Sequence, residues 1–207
     1  MAEERLTLSR TDAPGVASVL STLFQPLLTG TYLLVAMALL TASSAAQAVI
    51  WALATVGLTV VMPTLDLLYR LRSRRITDFQ IMLRTERLAP LLVTLTWAGI
   101  ALLAALVFSA PAGVTVALSV AFVNGVVLIS ITYWWKISFH TATLVAAVLV
   151  LTQQLGQVAL LGLLLVAAVG WSRLRLGRHT VAQVLAGIAV SLLATAAVLA
   201  FLTARNL

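Results

Sequence analysis

The sequence predicts an all-α fold, a polytopic transmembrane helical bundle of about six to seven spans, and three observations predict it. Of the 207 residues, 62% are hydrophobic and only 9% charged, against roughly 45–50% and 25% in soluble domains. The chain contains runs free of Asp, Glu, Lys and Arg that exceed the roughly 20 residues needed to cross a bilayer. The polar and turn-forming residues gather in short segments that divide those runs.

Residues 1–25 read as a polar N-terminal segment and an interfacial lead-in that ends at Gln25-Pro26, and residues 26–207 as a single transmembrane domain. Met1 to Asp12 carry Glu3, Glu4 and Asp12 against Arg5 and Arg10, with no apolar core leading to a small-residue cleavage site, so a cleaved signal peptide is not expected. From Asp12 to Asp66 lie 53 residues without formal charge. They hold two spans, near 26–42 and 48–69, broken at Ser43-Ser44-Ala45-Ala46-Gln47, with a kink expected at Pro63. Between Pro90 and Lys136 another 45 uncharged residues are split by Ser109-Ala110-Pro111-Ala112-Gly113 into spans near 91–108 and 114–135. From Ile137 to Ser172 a third run of 36 residues is interrupted by Gln153-Gln154-Leu155-Gly156-Gln157, the tip of a shorter hairpin. Thr180 to Ala204 supplies the last span. The count is seven, with six spans or a re-entrant arm as the alternative. Asn124, Gly125, Ala182, Ala186 and Gly187 read as sites of close helix packing or interhelical hydrogen bonding.

Three successive hairpins return the chain to one face after residues 69, 135 and 171. Every Lys and Arg except Arg205 then falls on that face, with all the acids. The positive-inside rule assigns it to the cytoplasm of a multi-pass protein of the cell membrane. Tyr69, Tyr133, Trp134, Trp135 and Trp171 cluster at the same level, as an interfacial aromatic belt does.

The net charge is +7, and 12 of the 13 basic residues are Arg, whose planar fork matches phosphate. An anionic lipid phosphate is the expected partner; a nucleic acid is not, because so little of the chain can lie in water. The absence of Cys excludes disulfides, thiolate metal sites and cysteine nucleophiles. Asp66, Asp78 and Glu86 form no close carboxylate pair, so neither a two-metal site nor any cofactor is expected.

The chain has two histidines, His140 and His179, each at the start of a span on the charged face and beside cations. Imidazoles among cations suggest an anion site where His exchanges protons or attacks phosphorus. The plainer alternative is that both are headgroup-level residues at helix starts. If a helix begins near His179, Gln183 lies one turn on, on the same face, where its side-chain oxygen can accept from a ring N–H of His179.

Three segments carry a family resemblance. Residues 172–183, with Ser172-Arg173, five residues, His179, three residues and Gln183, resemble the third motif of the type 2 phosphatidic acid phosphatase superfamily, in which Asp stands where this chain has Gln183. Residues 136–140, Lys136-Ile137-Ser138-Phe139-His140, look like the second motif, Pro-Ser-Gly-His, with Ile137 and Phe139 in place of Pro and Gly. Residues 78–90 sit where the first motif, Lys, six residues, Arg-Pro, is expected; Arg87 matches its Arg, Gln80 and Leu88 replace its Lys and Pro, and Arg84 is a second cation. The resemblance extends over roughly residues 66–200.

It implies a lipid phosphatase acting on a phosphate monoester or diphosphate, of the phosphatidic acid or polyprenyl diphosphate type, without metal. His179 would be the nucleophile that forms a phosphohistidine, His140 the acid for the leaving oxygen, and Gln183 the residue that orients His179. Arg173, Arg87, Arg84, Lys136 and Ser138 would bind the phosphate. The competing reading is a phosphatase-like lipid-binding protein with weak or no turnover, because a neutral Gln183 supplies no countercharge to an imidazolium. A transporter is a third class, but the sequence offers no chain of intramembrane ionisable residues.

Overall fold

The computed structural model describes residues 15–74 and 84–205, with the backbone alone over 84–87. All regular structure among them is helical: α1 (Val16–Leu23), α2 (Pro26–Thr41), α3 (Ala45–Val56), a π-helical turn (Gly57–Val61), α4 (Met62–Arg72), α5 (Arg84–Val107), α6 (Ala112–Trp134), α7 (Phe139–Leu155), a 3-10 segment (Gly156–Gly162), α8 (Leu163–Arg175) and α9 (Val181–Ala204). Five helical runs are long and apolar enough to cross a bilayer, and the pair α1 and α2, bent by 52°, makes a sixth. The chain is thus an all-α bundle of roughly six apolar spans, the architecture of a multi-pass membrane protein.

The breaks fall at the residues with turn chemistry. Ser44 caps α3 by accepting from the backbone N–H of Gln47, while Gln47 Oε1 accepts from the Ser43 N–H at 2.8 Å. Ser109, at φ 51°, and Pro111 at the N-cap separate α5 from α6. Pro63 stands in the first turn of α4, directly after the π turn that absorbs the irregularity in the continuous run 45–72.

The stretch 139–175 is apolar and helical throughout, but Gly156, at φ 63° and ψ −154°, reverses it. Its two arms lie side by side: a Cβ on Gly162 would stand 2.6 Å from Val148, and one on Gly170 would stand 3.7 Å from Thr141. Leu144, Val145, Val148, Val166 and Val169 fill the seam. The second arm has only 13 residues of α-helix, yet the 3-10 turns before it rise about 2.0 Å per residue, so segment and helix together reach about 34 Å, enough for a core of roughly 30 Å.

The remaining core lies where α2, α6, α7 and α9 meet, around Met37, Val114, Ala117, Leu118, Ala147 and Val150. α6 and α9 are joined in mid-membrane by Asn124 Nδ2, which donates to Thr195 Oγ1 at 3.0 Å. α7 and α9 run parallel and touch closely: Ser191 Oγ donates to the Ala142 carbonyl at 2.7 Å, and Gly187 lies so near α7 that a Cβ there would stand 2.6 Å from the Ser138 carbonyl. This pairing sets Ser138 and His140, which open α7, level with Gln183, in the first turn of α9.

At one end of the bundle stand the end of α4 with Arg70 and Arg72, Arg74 just beyond it, the Lys136 linker, the last turn of α8 with Arg173 and Arg175, and the α8–α9 loop with Arg178. Asp66 accepts from Arg70 Nε at 2.6 Å within α4. At the other end a cavity of about 170 Å³ lies among Met37, Gly113, Gln153, Leu199 and Thr203, near Arg205. Apolar side chains such as Leu39, Leu53, Leu103, Leu164 and Leu193 are exposed on the bundle surface between the two ends, as lipid solvation requires.

Candidate functional site

The geometry begins with the way α8 stops and α9 starts. Gly177, at φ 63°, ends α8 in a left-handed turn; its N–H donates to the Leu174 carbonyl at 3.0 Å, and the Arg178 N–H donates to the Arg173 carbonyl at 3.0 Å. These are the two bonds of a Schellman stop, and glycine fits its left-handed position because it has no Cβ to clash. The His179 N–H also donates to the Arg173 carbonyl, at 3.3 Å. One backbone oxygen therefore fixes the separation between Arg173 and His179.

Thr180 then caps α9. Its hydroxyl accepts from the Gln183 N–H at 3.3 Å, and Gln183 Oε1 accepts from the Thr180 N–H at 3.2 Å, a reciprocal capping box. The same Oε1 lies 3.1 Å from Nδ1 of His179. Because the amide oxygen can only accept, the bond selects the tautomer with hydrogen on Nδ1 and leaves the lone pair on Nε2. The one-turn relationship expected between His179 and Gln183 is present. The Thr180-x-x-Gln183 spacing of a capping box is also legible in the sequence.

α7 brings the second group. The Ser138 N–H donates to the Gln183 carbonyl at 3.2 Å, tying the start of α7 to α9. The Ser138 side chain is fully buried, and its Oγ has no hydrogen-bond partner among the described residues. Lys136 Nζ donates to the Arg178 carbonyl at 2.6 Å, across the α8–α9 loop. His140, half-buried, is within electrostatic reach of both Arg173 and His179, and its ring lies beside the backbone carbonyl of Ser21. His140, His179, Arg173, Gln183 and Lys136 are all half-buried, at the boundary between the bundle and its surroundings.

Ser21 is the residue that sequence reasoning missed. It lies on α1, is buried, and its Oγ accepts from Nη1 of Arg173. The contact joins positions 152 residues apart, and Ser21 in the lead-in, with Ser18 and Thr22 close by, gives no sequence signal for it. Ser172 is also fully buried and donates to the Val169 carbonyl of its own helix at 2.8 Å, so its hydroxyl serves α8. Arg175 is exposed beyond the cluster. The side chains of Arg84 and Arg87, and the rest of the 78–90 segment up to Glu86, lie outside the described residues.

Among the described residues no three His, Asp or Glu converge. The cluster consists of two imidazoles, a guanidinium, an ammonium and hydroxyl and amide groups, a set that suits an anion. Comparison with family models, with curated proteins and with solved structures gives no match for this chain.

Proposed function

We propose that this protein is an integral membrane lipid phosphatase that hydrolyses a phosphate monoester or diphosphate through a phosphohistidine. The observation that carries the reading is the meeting of His140, from the segment 136–140, with Arg173 and His179, from the segment 172–183, where the Ser138 N–H bonds the Gln183 carbonyl and Nδ1 of His179 is held by Gln183 at 3.1 Å. With the hydrogen on Nδ1 directed to the amide, the lone pair of the His179 ring is on Nε2, the atom that attacks phosphorus. The N–P bond forms as the bond to the lipid oxygen breaks, and His140, which takes up a proton as the bound phosphate offsets the charge of Arg173, gives that proton to the lipid oxygen. Water then attacks the phosphohistidine, His140 takes a proton from it, and phosphate leaves as His179 is regenerated. Arg173 and Lys136, joined by Arg87 and Arg84 of the segment that resembles the first motif, neutralise the nonbridging oxygens as charge redistributes. The unsatisfied Ser138 hydroxyl is a further group for which a phosphate oxygen would be a partner. The lipid tail stays in the bilayer, and the phosphate reaches the Arg-rich end, which the positive-inside bias assigns to the cytoplasm.

The test is phosphate release by the purified protein in detergent with EDTA, from phosphatidic acid and from a polyprenyl diphosphate. Release lost in His179→Ala supports the reading. Gln183 favours one other reading: its amide carries no charge, and its Oε1 is shared with the Thr180 N–H, so the site would bind a lipid headgroup without turning it over. Saturable phosphatidic acid binding with no release from either lipid would establish that alternative.

A further inference from the structure

α1 is docked on the α7–α8 hairpin rather than lying apart from the bundle. Ala17 and Ser21, one turn apart, are both buried, and Phe24, just past the helix, packs against the cluster around Val145, Val148 and Val169. The break at Phe24-Gln25-Pro26, where Pro26 cannot donate to the preceding turn and α2 begins anew, bends α1 by 52° from α2. That bend sets α1 against α8.

We propose that Ser21 is a positioning residue for phosphate binding: its hydroxyl accepts from Nη1 of Arg173 and fixes the guanidinium on the side of the two histidines. The inference rests on the phosphatase reading and deepens it. An arginine side chain loses rotamer freedom when held in one geometry. Ser21 holds it before the lipid arrives, so less ordering remains for the phosphate to impose. The second contact of Ser21, its backbone carbonyl with the His140 ring, is indifferent to side-chain identity. Substitution therefore separates the two roles.

The test compares Ser21→Ala, Ser21→Val and Ser21→Thr with the full-length protein. Thr and Val have the same shape and differ in the hydroxyl, so packing effects cancel between them. Initial rates are taken on phosphatidic acid in dodecyl maltoside micelles across pH, and inorganic phosphate binding is followed by tryptophan fluorescence. Loss of a hydrogen bond to a charged group predicts a KM and a phosphate Kd raised about tenfold in Ala and Val, with kcat and its pH profile unchanged and Thr close to wild type. A merely structural role would lower kcat with KM and would not be rescued by Thr. Wild-type constants in Ala and Val, or a KM raised equally in Thr, would overturn the proposal while leaving the phosphatase reading in place. A wild-type protein that neither cleaves phosphatidic acid nor binds phosphate would remove both.

Discussion

Nδ1 of His179 and Oε1 of Gln183 are 3.1 Å apart, at the first turn of α9, and the same oxygen accepts from the Thr180 backbone. One side chain thus caps a helix and fixes a histidine tautomer. The two tasks respond differently to substitution.

Gln183→Asp retains an acceptor for both and adds a charge opposite the ring. Charge-assisted hydrogen bonds are roughly twice as strong as neutral ones, so phosphate release is expected to rise severalfold. Gln183→Leu removes the acceptor and is expected to lower the rate by about tenfold or more, with a loss of about 1 kcal/mol in stability from the broken cap. Rates on phosphatidic acid and thermal midpoints of the three proteins check this. A Leu variant as active as wild type would show that the contact has no chemical role.

Gly187→Ala places a methyl 2.6 Å from the Ser138 carbonyl and 2.9 Å from Thr141 Oγ1. The nearer neighbour is backbone and cannot rotate away, so α9 must move off α7. A destabilisation of about 1–3 kcal/mol is expected, and activity should fall further than folding, because the shift also pulls Gln183 from Ser138. Denaturation in mixed micelles, set beside activity at a temperature where the variant remains folded, separates the two effects.

Thr195→Val removes the acceptor that Asn124 Nδ2 uses across the α6–α9 seam. Nδ2 keeps its bond to the Val120 carbonyl at 3.0 Å, so the cost should be small, about 0.6 kcal/mol as for interhelical bonds elsewhere in membrane proteins. Asn124 Oδ1 is already buried without a partner, and Asn124→Leu is therefore expected to cost little more. A loss above about 2 kcal/mol in either variant would mean that the bond organises the bundle rather than decorating it.

α9 runs away from the charged end, so Ala204 lies opposite it, and the positive-inside bias gives a direction to that geometry. A reporter fused after Leu207 is expected to be external and one inserted after Arg74 cytoplasmic. A green fluorescent reporter and an alkaline phosphatase reporter at each position, active on opposite sides of the membrane, check the assignment. The reverse pattern would place the histidine cluster outside.

Much of the fold was legible because helix stops and starts are local. Ser44 with Gln47, Ser109 with Pro111, Gly156 and Gly177 act within a few residues of themselves, and the run of apolar residues between them sets span length. The expected sequence of hairpins appears at those positions. Residues 139–175, one apolar helical run by composition, fold at Gly156 into two arms, within the hairpin tip that the sequence predicts, and the lead-in becomes α1, joined to α2 through a bend. Composition reports how many residues are apolar. It does not report whether a 3-10 segment lengthens a short arm.

The sequence by itself determined the class of structure, the single charged end, and the local link from Arg173 through His179 to Gln183, because each depends on hydrogen bonds only a few positions apart or on transfer of side chains from water to lipid. Only the tertiary structure decided that His140 stands beside that segment and that Ser21 holds Arg173. Those contacts depend on the depth at which α7 and α9 meet over Gly187 and on the bend before Pro26. Such relations arise from the packing of whole helices, where many arrangements bury similar apolar area, and no periodicity along the chain encodes which one is adopted.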